Sequence, residues 1–90
     1  MAAGEEEGAG TSSPLRAVVE VVARTLVDHP DAVKVTESMR RGMTIVELTT
    51  AAGDMGKIIG RQGRTAAALR TLVSLTAERH GTRAQLDIKD

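Results

Sequence analysis

Residues 55–69, MGKIIGRQGRTAAAL, hold the arrangement whose residue types and spacing could do chemistry. Gly60 and Gly63 stand three apart, between a short apolar segment ending in Ile58-Ile59 and a longer amphipathic one. Glycines let a backbone approach a sugar-phosphate chain closely and take dihedrals that other residues resist. Arg61 and Gln62 fill the middle of the loop, with Lys57 and Arg64 flanking it. A helix starting just after Gly63 aims its unpaired N–H groups at whatever rests on the loop. Arg61 and Arg64 add charge where those groups already favour an anion. Phosphate binding is the chemistry this pattern suits. A P-loop needs four residues between its glycines, then Lys and Ser or Thr, and no such run exists here. A dinucleotide fingerprint needs G-x-G-x-x-G directly after a strand, whereas the glycines here are 56, 60 and 63.

Charge supports a local anion site on a nearly neutral body. The chain has 12 basic and 12 acidic residues, for a formal net charge of zero. Glu5, Glu6 and Glu7 lie in a Gly/Ala-rich leader, and without them the rest is positive by three. Residues 55–77 contain Lys57, Arg61, Arg64 and Arg70 and no acid, the footprint of a phosphate-binding surface. Phe, Tyr and Trp are all absent, which weighs against modules that stack bases on aromatic rings. There is no Cys, so disulfides and thiolate metal sites are excluded. No nucleophile–base pair, metal-ligand cluster or carboxylate pair stands near the loop, so no catalytic residue, metal or cofactor is expected. No apolar run reaches the roughly 18 residues of a membrane span, and no secretory leader is visible. A cytoplasmic domain is the plain reading.

The elements that must position the loop follow from periodicity. Ninety residues suffice for one domain. Residues 1–13 read as a disordered acidic tail and 14–90 as the folded domain. Ser13-Pro14 is a helix start, and Leu15, Val18, Val19, Val22 and Leu26 follow as one apolar stripe. Arg16, Glu20, Arg24 and Asp28 run four apart along another face, and His29-Pro30 ends the helix. Residues 33–39 and 43–50 read as strands joined at Arg40-Arg41-Gly42. In the second strand Val46 and Leu48 face one side, and Ile45 and Glu47 a half-covered one. Asp54 is placed to cap a short helix over 55–59. A longer helix runs over 64–80, with Ala66, Leu69, Val73 and Ala77 on one face and Gly81 as its stop. Residues 84–89 alternate as a last strand. Helices on one side of a three-stranded sheet result.

With these elements in order, IIGRQGRT resembles the KH signature, an apolar pair followed by G-x-x-G and a helix. The order α-β-β-α-α-β resembles the type II, prokaryotic form of that fold. The runs LVDHPDAVKV and DMGKIIGRQGR are similar to the single-domain KhpA (YlqC-like) proteins of bacteria, and the resemblance covers residues 14–90. It implies an α+β type II KH domain that binds single-stranded RNA, as an RNA chaperone or post-transcriptional regulator. It also implies pairing, as a homodimer or with a larger KhpB-like KH protein, and links to cell-envelope and cell-shape control. In KH domains the two loop glycines bring backbone close to RNA phosphates, here Gly60 and Gly63. The residues between them contact the same backbone, here Arg61 and Gln62. The aliphatic pair lines a groove for about four nucleotides, here Ile58 and Ile59, of which one is expected in the core. With Arg64 and Lys57 from the charge pattern, these eight make the expected RNA-binding set.

Where the broader KH pattern favours large aliphatics after the loop, this chain has Ala66 and Leu69. The Ala points to a shallower groove or to altered helix packing. Arg40-Arg41 is either a second basic contact or a solvated turn. His29 and His80 fall at helix ends. The competing reading is a protein-interaction adaptor that uses the same fold as a docking surface, since fold does not fix function.

Overall fold

The computed structural model describes residues 13–89, so the expected tail, Ser13 apart, lies outside the described residues. Ser13 opens the first helix, α1 (Pro14–Leu26): its Oγ accepts the N–H of Arg16 at 3.1 Å, and Pro14 takes the first helical position. Arg16 and Arg24 flank Glu20 at 3.1 and 3.9 Å along the solvent side. The buried line of α1 is Leu15, Val19 and Ala23, whereas Val21 is 66% and Leu26 37% exposed. The expected stripe was therefore shifted. Apolarity alone does not separate the face pressed on the core from its flank, and the small Ala23 lies on the pressed face.

A turn over Pro30–Ala32 leads into β1 (Lys34–Arg40), which pairs antiparallel with β2 (Met43–Thr49) in a register running from Lys34↔Thr49 to Arg40↔Met43. Only Arg41 and Gly42 remain to make the turn, both with positive φ, 53° and 77°. That is the type I′ geometry whose twist matches paired strands. The expected three-residue turn is shortened because Arg41 accepts a left-handed backbone and lets β1 run on through Arg40.

Two helices follow, α2 (Met55–Ile59) and α3 (Arg64–Arg79), and then β3 (Ala84–Lys89), which pairs parallel with β2 from Thr44↔Ala84 to Thr49↔Lys89. The sheet order is β1-β2-β3, with β3 at an edge. Val35, Val46, Leu48 and Leu86 of the sheet meet Leu15, Val19, Ala23, Ile58, Leu69, Val73 and Ala77 of the helices in one core. This places the helices on one face of the sheet, as the α+β type II KH pattern requires. Ile45 lies on the other face between Ser38 and Gln85, yet it is only 6% exposed. That face is better covered there than expected. At the end of α3, Gly81 takes φ 72° and the N–H of Thr82 donates to the Ala77 carbonyl at 2.9 Å, a Schellman stop.

Arg41 carries a left-handed backbone at a position where Asn costs less. Arg41→Asn should stabilise the fold by about 0.5–1 kcal/mol. A rise of a few degrees in thermal unfolding checks it, and an unchanged or lower midpoint contradicts the turn geometry.

Candidate functional site

The loop is suspended between one residue sunk in the core and one helix start. Ile58, at the end of α2, is 0% exposed and belongs to the main core, whereas its neighbour Ile59 is 37% exposed. Ile58 therefore offers no surface to a ligand; it anchors the loop, and Ile59 alone of the pair remains for a groove. Gly60 then takes φ 76° and ψ 172°, a region essentially reserved for glycine. A Cβ there would stand 2.6 Å from Thr65 Cβ and closer still to its Oγ1. Gln62 (φ 57°, ψ 25°) and Gly63 (φ 73°, ψ 12°) are both left-handed, and nothing lies within 4 Å of a Cβ built on Gly63.

The reversal is held by its own backbone. Gly60 N–H donates to the Gly56 carbonyl at 2.9 Å, and Gly63 N–H to that of Gly60 at 3.1 Å. Arg64 Nη2 donates to Gln62 Oε1 at 3.1 Å, which steadies two of the expected contact residues against each other. Arg61 stands exposed beside them. Helix α3, 16 residues long, starts on this loop, so its positive end lies under the exposed arginines.

Lys57 sits differently from the expectation. Its Nζ lies 3.2 Å from Asp28 Oδ2 and 3.9 Å from Asp54 Oδ1, so its charge is shared with two carboxylates. Asp54 makes no cap hydrogen bond to α2. Its buried carboxylate instead accepts the backbone N–H groups of Asp28 at 3.3 Å and His29 at 2.9 Å, and His29 Nδ1 lies 3.2 Å from Oδ2. Burial pushes this carboxyl up, but the His29 and Asp28 N–H groups and the His29 ring outweigh it. The net pKa lies below the ordinary carboxylate value. Asp54 thus ties the exit of α1 to the entry of α2. A lone Asp before a short helix reads as a cap in sequence, because its partners are 25 and 26 residues away.

Beyond the loop, Ala67, Arg70 and Ser74 follow one another at helical spacing on a single face of α3. Arg70 and Ser74 line a depression of about 380 Å³ with Met43, Ala84, Gln85, Leu86 and Asp87. Arg70 Nε reaches the Leu86 carbonyl on edge strand β3 at 3.5 Å. The depression lies between α3 and the edge strand β3, and none of the eight expected residues lines it. The helical spacing of Ala67, Arg70 and Ser74 was the available signal. Ala66 is 3% exposed, so it is an interior packing position and does not set the depth of this groove. Among the described residues, no three His, Asp or Glu side chains gather to hold a metal ion, and no helix is long and apolar enough to cross a membrane.

The family model of the KhpA/KhpB KH domain matches residues 16–88. The chain belongs to the KhpA/KhpB KH-domain family. It is 46% identical over 76 residues to the RNA-binding protein KhpA of Halalkalibacterium halodurans, covering 84% of this chain and 100% of that protein. It is 47% identical over 73 residues to the RNA-binding protein KhpA of Treponema pallidum, covering 81% and 91%. Against a crystal structure of Aquifex aeolicus Era bound to GDP and aluminium fluoride, the TM-score is 0.58 at 18% identity, over 94% of this chain and 35% of that one. That likeness concerns the fold alone. In this KhpA/KhpB domain the loop glycines are not equivalent, since only Gly60 is hemmed in by Thr65.

Gly63→Ala should cost about 1 kcal/mol for its left-handed backbone, whereas Gly60→Ala should cost clearly more, having both the dihedral and the overlap with Thr65 to relieve. Urea titration of the two variants checks the order; equal losses contradict it. Asp54→Asn should destabilise the domain at neutral pH. A carboxylate whose folded pKa is depressed contributes stability that is present above its unfolded value of about 3.9 and is lost as pH falls through the folded one. The gap between wild type and Asp54→Asn in thermal unfolding should therefore be full above about pH 5 and close as the pH drops below about 4.

Proposed function

We propose that this chain binds single-stranded RNA, with the Gly60–Gly63 loop holding phosphates and the α3–β3 groove holding the nucleotides beside it. The observation that carries the reading is the loop itself: a backbone bare of side chains at Gly60 and Gly63, set on the positive end of α3 between Arg61 and Arg64. The name of its KhpA relatives, RNA-binding protein, supports it. Gly60, Arg61, Gln62, Gly63 and Arg64 are the proposed phosphate contacts, and exposed Ile59 is the proposed apolar contact beside them. Lys57 contributes once it leaves Asp28, and Ile58 contributes as the anchor. Such a grip is sequence-tolerant. It suits an RNA chaperone or post-transcriptional regulator in the cytoplasm, without catalysis and without a cofactor.

One groove takes about four nucleotides, so useful affinity calls for linked grooves. This favours a homodimer or a pair with a larger KhpB-like protein, and exposed Leu72 and Leu75 on α3 and Val21 on α1 supply apolar surface for it. Effects on cell envelope and cell shape would follow from the RNAs such an assembly holds. The same exposed apolar side chains favour the second reading, a protein-docking adaptor.

Titration of fluorescent single-stranded RNA into wild type and into the Gly60→Asp/Gly63→Asp double variant separates the two. Wild-type affinity should fall with salt with a log–log slope of about −0.7 per phosphate contact. The double variant, checked for folding by circular dichroism, should bind at least tenfold more weakly. Equal binding by a folded double variant, or a flat salt response, sinks the RNA-binding reading in favour of the adaptor.

A further inference from the structure

Asp28 stands where local rules disfavour an acid. Helix α1 ends at Leu26, and Val27 caps it by donating its N–H to the Ala23 carbonyl at 3.2 Å. Asp28 follows directly, beside the negative end of the helix, where a cation is stabilising and a carboxylate is not. Its side chain is 66% exposed, and among the described residues its ion pair is with Lys57, Nζ lying 3.2 Å from Oδ2. A pair this exposed adds little to stability. An acid that opposes its own helix and adds little to the fold points to a use outside the fold.

The other carboxylate near Lys57 does not replace it. Asp54 Oδ2 accepts the His29 N–H at 2.9 Å and faces the His29 ring at 3.2 Å, while Oδ1 accepts the Asp28 N–H at 3.3 Å. Lys57 Nζ stands 3.9 Å from Oδ1, beyond hydrogen-bond distance. Asp54 therefore attracts the ammonium, whereas Asp28 bonds it. Lys57 also lies close to the loop, since α2 ends two residues later at Ile59 and Gly60 caps it. Arg61 and Arg64 make no ion pair among the described residues, and Arg64 donates only to the Gln62 amide oxygen. Of the cations at the loop, Lys57 is the one that an acid restrains.

We propose that Asp28 is a brake on the phosphate site: its carboxylate occupies the Lys57 ammonium, and an RNA phosphate must displace it before Lys57 can bind. The proposal rests on the RNA-binding reading above and deepens it, by naming the residue that sets how tightly the loop holds its ligand. With Asp28 present, Lys57 exchanges one anion for another and gains little. Without it, the same lysine becomes a full phosphate contact and releases one more counterion on binding.

The test titrates a fluorescein-labelled oligouridine of about eight nucleotides into full-length wild type, Asp28→Asn, Lys57→Gln and the Asp28→Asn/Lys57→Gln double variant. Asp28→Asn should bind about two- to fivefold more tightly than wild type in low salt, with a log–log salt slope steeper by about 0.7. Lys57→Gln should erase that gain, so that the double variant and Lys57→Gln bind alike. Asp31→Asn removes an exposed acid that makes no ion pair among the described residues; it controls for net charge and should gain clearly less. Thermal unfolding of Asp28→Asn should fall at or slightly above the wild-type midpoint, as the helix end predicts. Wild-type affinity in Asp28→Asn, or a gain that survives Lys57→Gln or is matched by Asp31→Asn, overturns the brake and leaves the loop reading in place. A lowered unfolding midpoint overturns it too, because the acid then serves the fold. Undiminished binding by folded Gly60→Asp/Gly63→Asp overturns the loop reading, and the brake with it.

Discussion

Between Ile58, fixed in the core, and Thr65, on the first turn of α3, the chain must reverse with almost no room on its inner side. The backbone does so by passing Gly60 directly against Thr65, in dihedrals that a side chain would resist. Every property of the site follows from that passage. It sets the start of α3, and with it where the helix's positive end emerges. It leaves Arg61, Gln62 and Arg64 on the outer side, and it presents peptide surface where any larger residue would present a side chain. The loop is thus less a flexible ligand clamp than a corner made rigid by the packing on both sides of it.

The surrounding charges are arranged so that this corner is not simply the most basic spot available. Lys57 is the basic residue nearest the loop on its N-terminal side, and it is held by Asp28 and Asp54. Asp54 is buried, yet ionised in the fold because two backbone N–H groups and the His29 ring supply what water would. A structural carboxylate thus draws one cation away from the loop, and the positive potential there is left to Arg61, Arg64 and the helix end. The positive potential at the corner is moderated by the same network that fixes α2 in place.

Where sequence and structure agree, local rules were enough. The Ser13-Pro14 start, the Ala66–Leu69–Val73–Ala77 line of α3, the Gly81 stop and the order of elements all depend on residues within one or two turns of each other. Departures occur where a residue's partner is distant in the chain. Asp54 reads as a cap until Asp28 and His29 are brought to it; Lys57 reads as free until Asp28 arrives. Ile58 and Ile59 are identical in type, and only packing decides which is interior. Ala66, read against a motif, left a shallower groove and altered helix packing both open, and its burial favours packing. Arg41 hides its left-handed backbone because side-chain type is only a weak guide to φ in a turn. The glycine reversal and the helix start after it were legible from spacing, and the depression between α3 and β3 was not, because β3 reaches α3 only in the folded molecule.

The parallel pairing of β3 with β2 has a bearing on the order in which the molecule assembles. Strands β1 and β2 are joined by a two-residue turn and can meet early, but Ala84 meets Thr44 only across a separation of forty residues. All of α2, the glycine loop and α3 lies within that span. The last strand can zip into place only when the corner has already brought α3 back over the sheet, so the glycine loop is also the closing link of the topology. A molecule in which site and closing link coincide cannot relax one without loosening the other. Whatever rigidifies the corner, a bound phosphate chain included, also tightens the sheet from its edge inward.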